Sequence, residues 1–289
     1  LKLHYTSKSS LDSADLMAIY SLLEQCEKKD KAELELLFNL PMLENRTGEH
    51  TFDFLCYDKK RLVGYLAAFD IIDDKHLEVT AVVHPRYRKN RIFSGLLKQA
   101  QHEFDRKGVK EILIVIPTNS KAGRKIVAAM EINLSHSEFT LEHDKRSFLS
   151  EKTPFTLTPL EHEDLPIISP IVADAFSDPL DESEQFLAKT IDSKPYHPFK
   201  VIDASGEIIG TITVYLDGRQ GFISGFVVDR RLQGQGLGKK ILRQTVGMLQ
   251  ADNIYDILLD VEVTNANALR LYEECGFRSI AGYDYYKYR

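Results

Sequence analysis

Hydrophobic positions along this chain follow two rhythms, one of period two and one near 3.6, and they alternate in the same order twice. In the C-terminal half, "FTLTPL" reads as a short strand, and "LPIISPIVADAF" and "ESEQFLAKTI" carry helical spacing, with Pro170 interrupting the first. "FKVIDASGEIIGTITVYL" predicts a hairpin turning at Ser205-Gly206, and "GFISGFVV" predicts an apolar, β-branched strand. "GKKILRQTVGMLQA" predicts an amphipathic helix with Ile241, Leu242, Val246 and Leu249 toward the core. "IYDILLDVEV" alternates as a strand, "NALRLYEECGF" is a short helix stopped at Gly276, and "SIAGYDYYKY" is a closing strand. The order β-α-α-β-β-β-α-β-α-β predicts an α/β (α+β) fold in which helices flank a mixed sheet.

The N-terminal half repeats this pattern. "KKRLVGYLAAFDIIDDKHLEVTAVVHPRYRKNRIFSGLLKQA" and "ASGEIIGTITVYLDGRQGFISGFVVDRRLQGQGLGKKILRQT" align through Gly64 with Gly210, Arg88 with Gln233 and Asn119 with Asn265. The offset stays at about 145 residues, which indicates duplicated domains rather than a short-period solenoid. "SEKTPFTLTPL" breaks the pattern with two prolines, so the expected domains are 1–150 and 151–289.

Composition narrows the classes. The 289 residues are 43% hydrophobic and 28% charged, the balance of a globular protein with room for two cores. A net charge of −6 argues against a general nucleic-acid binder. No apolar run approaches a membrane span, and the polar N-terminus is unlike a signal-peptide core. Cys26, Cys56 and Cys275 are far apart with no paired spacing, so neither a disulfide framework nor a metal site is expected, and a reducing, cytoplasmic setting fits.

The chemistry centres on "RRLQGQGLGKK", with Gly234, Gly236 and Gly238 between an apolar strand and a helix. The first N–H groups of a helix lack internal partners and sit at the positive end of its dipole. Phosphate binds there when side chains stay clear, and Lys239, Lys240 and Arg243 add charge nearby. A strand–helix turn with a solvated basic first turn explains the same residues. The spacing GxGxG matches neither the dinucleotide fingerprint nor the P-loop.

The stretch Gln233-Gly234-Gln235-Gly236-Leu237-Gly238 resembles the Q/R-x-x-G-x-G/A loop of the GCN5-related N-acetyltransferases, the GNAT family. "NANALRLYEECGF" is similar to that family's second signature, with Asn265, Ala268, Leu271, Tyr272, Gly276 and Phe277 in place. The resemblance is close over 155–289 and loose over 1–150. It implies two tandem GNAT-like domains, each a mostly antiparallel sheet flanked by helices, with acetyl-CoA as co-substrate and no metal. It implies that the loop, with Lys239, cradles the pyrophosphate. Phe226, Val227 and Val228 would offer backbone groups to the pantetheine arm and the thioester, and Tyr272 would be the general acid. A phenol and a thiol, with pKa values of about 10 and 8.5, exchange a proton almost in balance. Asn265 resembles the family's cofactor-binding Asn and is equally suited to cap its helix.

The general base is open. The strand "FISGFVV" carries no carboxylate, whereas Asp260 and Glu262 share one face of the next strand, and Glu262 is taken as the base. The acceptor expected is a small-molecule or peptide amine. Asp178, Asp181, Glu182 and Glu184 either hold a cationic acceptor or form a solvated loop, and Tyr283, Tyr285, Tyr286 and Tyr288 either line the pocket or pack a strand. A monomer or homodimer is expected. The first half carries Arg91 for Gly236, Phe93 for Gly238 and Ile126 for Tyr272, and its Glu78 lacks an acid partner, so it reads as a worn, structural copy. A non-catalytic acyl-CoA sensor is the alternative function; an acyltransferase using a longer acyl chain or a protein N-terminus is a third.

Overall fold

The structure, a computed structural model, describes residues 1–46, 48–70, 75–146 and 153–289. In chain order the first elements are β1 (Leu3–Lys8), α1 (Ser13–Asp30), α2 (Leu34–Leu37), α3 (Leu40–Glu44), β2 (Asp53–Asp58), β3 (Arg61–Asp70), β4 (His76–Val83), α4 (Ile92–Lys107), β5 (Glu111–Pro117), α5 (Lys121–Ala129) and β6 (Asn133–His143). There follow β7 (Thr156–Pro159), α6 (Leu165–Phe176), α7 (Leu180–Asp192), β8 (Tyr196–Ile202), β9 (Ile208–Asp217), β10 (Gln220–Val228), α8 (Leu237–Ala251), β11 (Asp256–Glu262), α9 (Ala266–Glu274) and β12 (Phe277–Lys287). The second run has the order its periodicity predicts.

The chain forms two compact units, Leu1–Ser137 with Ala281–Arg289, and Glu138–Ile280. The expected boundary at 150/151 lies outside the described residues; the first unit is discontinuous, and the second is the continuous stretch Glu138–Ile280. The second half of β12 lies in the first unit, and the second half of β6 lies in the second.

In the first unit the strand order is β1-β2-β3-β4-β5, followed by the end of β12. Among the described residues, only β4 and β5 run parallel. Tyr283–Lys287 pair antiparallel with Leu113–Pro117. The four tyrosines considered for the C-terminal pocket therefore belong to this unit. Tyr283 and Tyr285 pack with Leu113 and Val115, while Tyr286 and Tyr288 pack with Ile114, Ile116 and Val127.

In the second unit the order is the end of β6, then β11-β10-β9-β8-β7, with β10 and β11 the parallel pair. Ile241, Leu242, Val246 and Leu249 of α8 are buried against Ile257, Leu259 and Val261 of β11. Each such side chain contributes roughly 1.5–3 kcal/mol. That fixes α8 on one face of the sheet and leaves Asp256, Leu258, Asp260 and Glu262 on the other. On the other hand α6 runs through Pro170 instead of breaking there, because Ile168 and Val172 are buried on either side of the missing N–H. Gly276, at φ +89°, ends α9 as expected.

Candidate active site

The second unit's site begins with a defect in β10. Thr213 faces Ser224 and Thr211 faces Val227, so Gly225 and Phe226 together oppose the single residue Ile212. This is a β-bulge, with Gly225 at φ +54° in the left-handed region. It drives the Val227 carbonyl toward β9, where a Cβ on Gly210 would stand 2.2 Å from that oxygen. The parallel register of β10 with β11 ends at Ile223↔Leu259. Beyond it β10 stays with β9 through Val228, and β11 stays with β6 through Glu262. The two strands therefore fork, and the bulge lies at the fork.

Past the fork, Asp229 caps a short turn by accepting from the Arg231 N–H at 2.9 Å. Gln233 returns its side-chain amide to the Val228 carbonyl at 2.9 Å, pinning the loop to the strand it left. Gly234 and Gly236 have φ +77° and +76°, and a Cβ on either would meet nothing within 4 Å. With Gln235 they form an exposed ledge ahead of the N–H groups of Leu237, Gly238 and Lys239. Gly238 serves another purpose. A Cβ there would lie 2.9 Å from Leu271, 3.7 Å from Phe226 and 3.9 Å from Val228, so the end of β10, the start of α8 and the middle of α9 converge on it.

The basic run is largely committed within the protein. Lys239 pairs with Glu274 at 3.0 Å, Arg270 meets the same carboxylate at 3.0 Å, and Arg243 donates to the Glu274 carbonyl at 3.4 Å. Asn265 caps α9, its side-chain oxygen accepting from the Ala268 N–H at 3.1 Å. Tyr272, one residue beyond Leu271, packs against the core, its ring 6.3 Å from that of Phe277. Burial, with Cys275 adding, pushes its phenol up to about 12. This departs from the nearly balanced exchange expected with a thiol and keeps the phenol fully protonated at neutral pH.

Asp260 is the first residue of β11 past the fork. Thr140, directly opposite on β6, donates to its carboxylate at 2.5 Å. Glu138 faces Glu262 one step along. Surrounding protein strips hydration from Asp260 and raises its carboxyl to about 7; Glu138 adds to the rise and Thr140 opposes it. Asp260 as a whole is nonetheless exposed, which limits that loss of hydration. Glu262, the base taken from sequence, is exposed and accepts from Thr264. Sequence reasoning missed Thr140 and Glu138 because it assigned their strand to the other half. A signal was present, since Thr140 and Tyr285 hold the same place in the repeat.

The first unit repeats the design with telling changes. Arg88 donates to the Val83 carbonyl at 3.1 Å as Gln233 does to Val228, and also forms an ion pair with Asp30. Lys89 and Arg91 adopt φ +69° and +57° where Gly234 and Gly236 stand, with both side chains exposed. The loop's backbone path thus survives without glycine. β4 faces β3 in unbroken register and carries no bulge. Ser120 caps α5 through the Gly123 N–H, as Asn265 caps α9. This places Val127, not Ile126, at the position of Tyr272.

Among known proteins, the acetyltransferase (GNAT) family profile matches this chain twice, over residues 16–124 and 165–277. The chain belongs to the GNAT acetyltransferase family. A GCN5-related N-acetyltransferase from Sphaerobacter thermophilus shares the fold, with a TM-score of 0.79 at 18% identity over 98% of this chain and 95% of that one. N-alpha-acetyltransferase 30 of Xenopus laevis is 30% identical over 76 residues, 25% of this chain and 28% of that protein. Glucosamine 6-phosphate N-acetyltransferase of Candida albicans is 27% identical over 90 residues, 29% of this chain and 58% of that protein. Each of these two matches takes in less than two thirds of the relative's length. Among the described residues no helix is long and apolar enough to cross a membrane.

Proposed function

We propose that the second unit transfers an acetyl group from acetyl-CoA to a primary amine by direct attack. The observation that carries this reading is the bulged fork of β10, which opens beside an unobstructed glycine ledge with Tyr272 on the adjoining helix. Gly234 to Leu237 and the N–H groups that follow would hold the pyrophosphate, with the helix dipole favouring its charge. On the side where β10 has parted from β11, the backbone of Phe226, Val227 and Val228 would take the pantetheine arm and donate to the thioester oxygen as charge builds there. Asn265 already uses one lone pair of its oxygen on the cap, and its amide N–H groups remain to meet the co-substrate. Tyr272 donates its proton to the departing thiolate.

The acceptor reading is a small-molecule or peptide amine that arrives as a cation. The exposed carboxylates Asp178, Asp181, Glu182 and Glu184 support it, and the two named relatives differ in the amine their names specify. The test is Tyr272→Phe, assayed for CoA release against a panel of amines and for acetyl-CoA affinity by calorimetry. Turnover should fall by about 100-fold or more while affinity holds within a few-fold. A variant that turns over normally removes the phenol from the chemistry, and a wild-type chain that binds acetyl-CoA but acetylates no amine points to a sensor.

A further inference from the structure

The geometry points to Asp260 as the base that takes the proton from the acceptor's ammonium group, with Thr140 of β6 as the residue that positions it. This rests on the acetyl-transfer reading above and names a group that reading leaves open.

Three observations converge. First, Asp260 is the first residue of β11 beyond the last paired position, Ile223↔Leu259, so it stands at the fork beside the bulge. Glu262, two residues on, is farther from the fork and tied to Thr264. Second, the carboxylate is held, since Thr140 lies opposite in register and donates to one oxygen at 2.5 Å, leaving the other oxygen to accept. Third, the repeat supplies a control within the chain. In the first unit the register of β4 with β5 ends at Val79↔Ile114, and the next residue is Val115. Its partner on β12 is Tyr285. The unit whose β4 lacks the bulge of β10 thus has an apolar residue at the place of Asp260, and a packed tyrosine at the place of Thr140.

On its face of the sheet Asp260 is joined by Glu138 and Glu142 on β6 and by Glu262 and Asp256 on β11, with Lys145 paired to Asp256 at the far end. Glu138 favours the proton-bound form of Asp260, and the surplus of carboxylates attracts an ammonium ion. The ammonium nitrogen gives one proton to the ionised Asp260, and the free amine attacks the thioester carbon. A C–N bond forms and the carbonyl oxygen takes the electron pair. On collapse the C–S bond breaks, and the thiolate takes a proton from Tyr272. The second nitrogen proton, released as the amide forms, returns to Tyr272 through solvent. Asp260 then loses its proton to water, so one proton is released per acetyl group transferred.

The test uses the full chain with acetyl-CoA and two probe amines, ethylamine, which is cationic near neutrality, and trifluoroethylamine, which is mostly neutral there. CoA release is followed against pH. For ethylamine, kcat/KM should rise with pH through about 7, because only ionised Asp260 accepts a proton. Asp260→Asn should remove that limb and lower kcat/KM for ethylamine at least about 100-fold, while sparing trifluoroethylamine to within a few-fold. Thr140→Val should move the limb to higher pH, Thr140→Ser should restore it, and Glu262→Gln should retain it. Carbon NMR of chain labelled at the aspartate carboxyls gives a readout independent of turnover. One carboxyl should titrate near neutrality, vanish in Asp260→Asn and shift up in Thr140→Val. Equal losses on both amines in Asp260→Asn, or loss of the limb in Glu262→Gln, overturn the assignment. Aspartates that all titrate in the ordinary acid range overturn it alone. No CoA release from the unaltered chain with either amine, with the neutral carboxyl present, overturns the transfer reading and the base with it.

Discussion

At the scale of single residues, the three glycines of the loop have separate causes. Gly238 is favoured by packing, because a Cβ would press on the Leu271 side-chain end, which would have to shift. Gly234 and Gly236 have open space around them, and the first unit threads the same left-handed path with Lys89 and Arg91. The left-handed backbone therefore disfavours side chains there without forbidding them, and the proposed phosphate ledge would add a reason for their absence. Gly236→Arg writes the first unit's residue into the second. It should fold, at a cost of about 1–2 kcal/mol for the left-handed backbone, and lose acetyl-CoA affinity at least tenfold by calorimetry. Unchanged affinity would show that the ledge needs no clearance at Gly236.

At the scale of elements, what was legible in the sequence is what local pattern controls. The order of strands and helices, the buried stripe of α8 and the stop at Gly276 all follow from spacing within a few residues of each site. The bulge was not legible, because Gly225 in "FISGFVV" resembles any strand glycine until the register with β9 is known. Nor was the reading of Val127 against Tyr272, which turns on one residue of offset and is settled only by matching caps. The bulge is also the clearest difference between β10 and β4. Deleting Phe226 should give β10 the uninterrupted register of β4. We expect acetyl-CoA binding to be lost while far-UV circular dichroism and cooperative melting are retained. Binding within a few-fold of normal would mean that the fork needs no bulge.

At the scale of the whole molecule, the two halves are legible as repeats, but the compact units are not those halves. Hydrophobic alternation says that β6 and β12 are strands and cannot say which sheet each will complete, because an alternating strand fits either. The end of β12 brings Tyr283 and Tyr285 into the first unit's core, where they are 6% and 7% exposed. Ending the chain at Gly282 should therefore uncover the edge of β5 and lower the first unit's melting temperature by well over the few degrees typical of a point substitution. The calorimetric trace should resolve the loss as an early transition. A truncated chain that melts like the full one would deny the last strand any structural role in that unit.

The crossed ownership of β6 and β12 also sets a timetable. A ribosome delivers residues 1–137 of the first unit before any of the second, yet the first unit's final strand emerges only after the second unit's last residue. The second unit, by contrast, holds every one of its residues by Ile280. During synthesis the N-terminal core must wait with the edge of β5 unpaired until all of the second unit has been made, so the unit begun first is completed second.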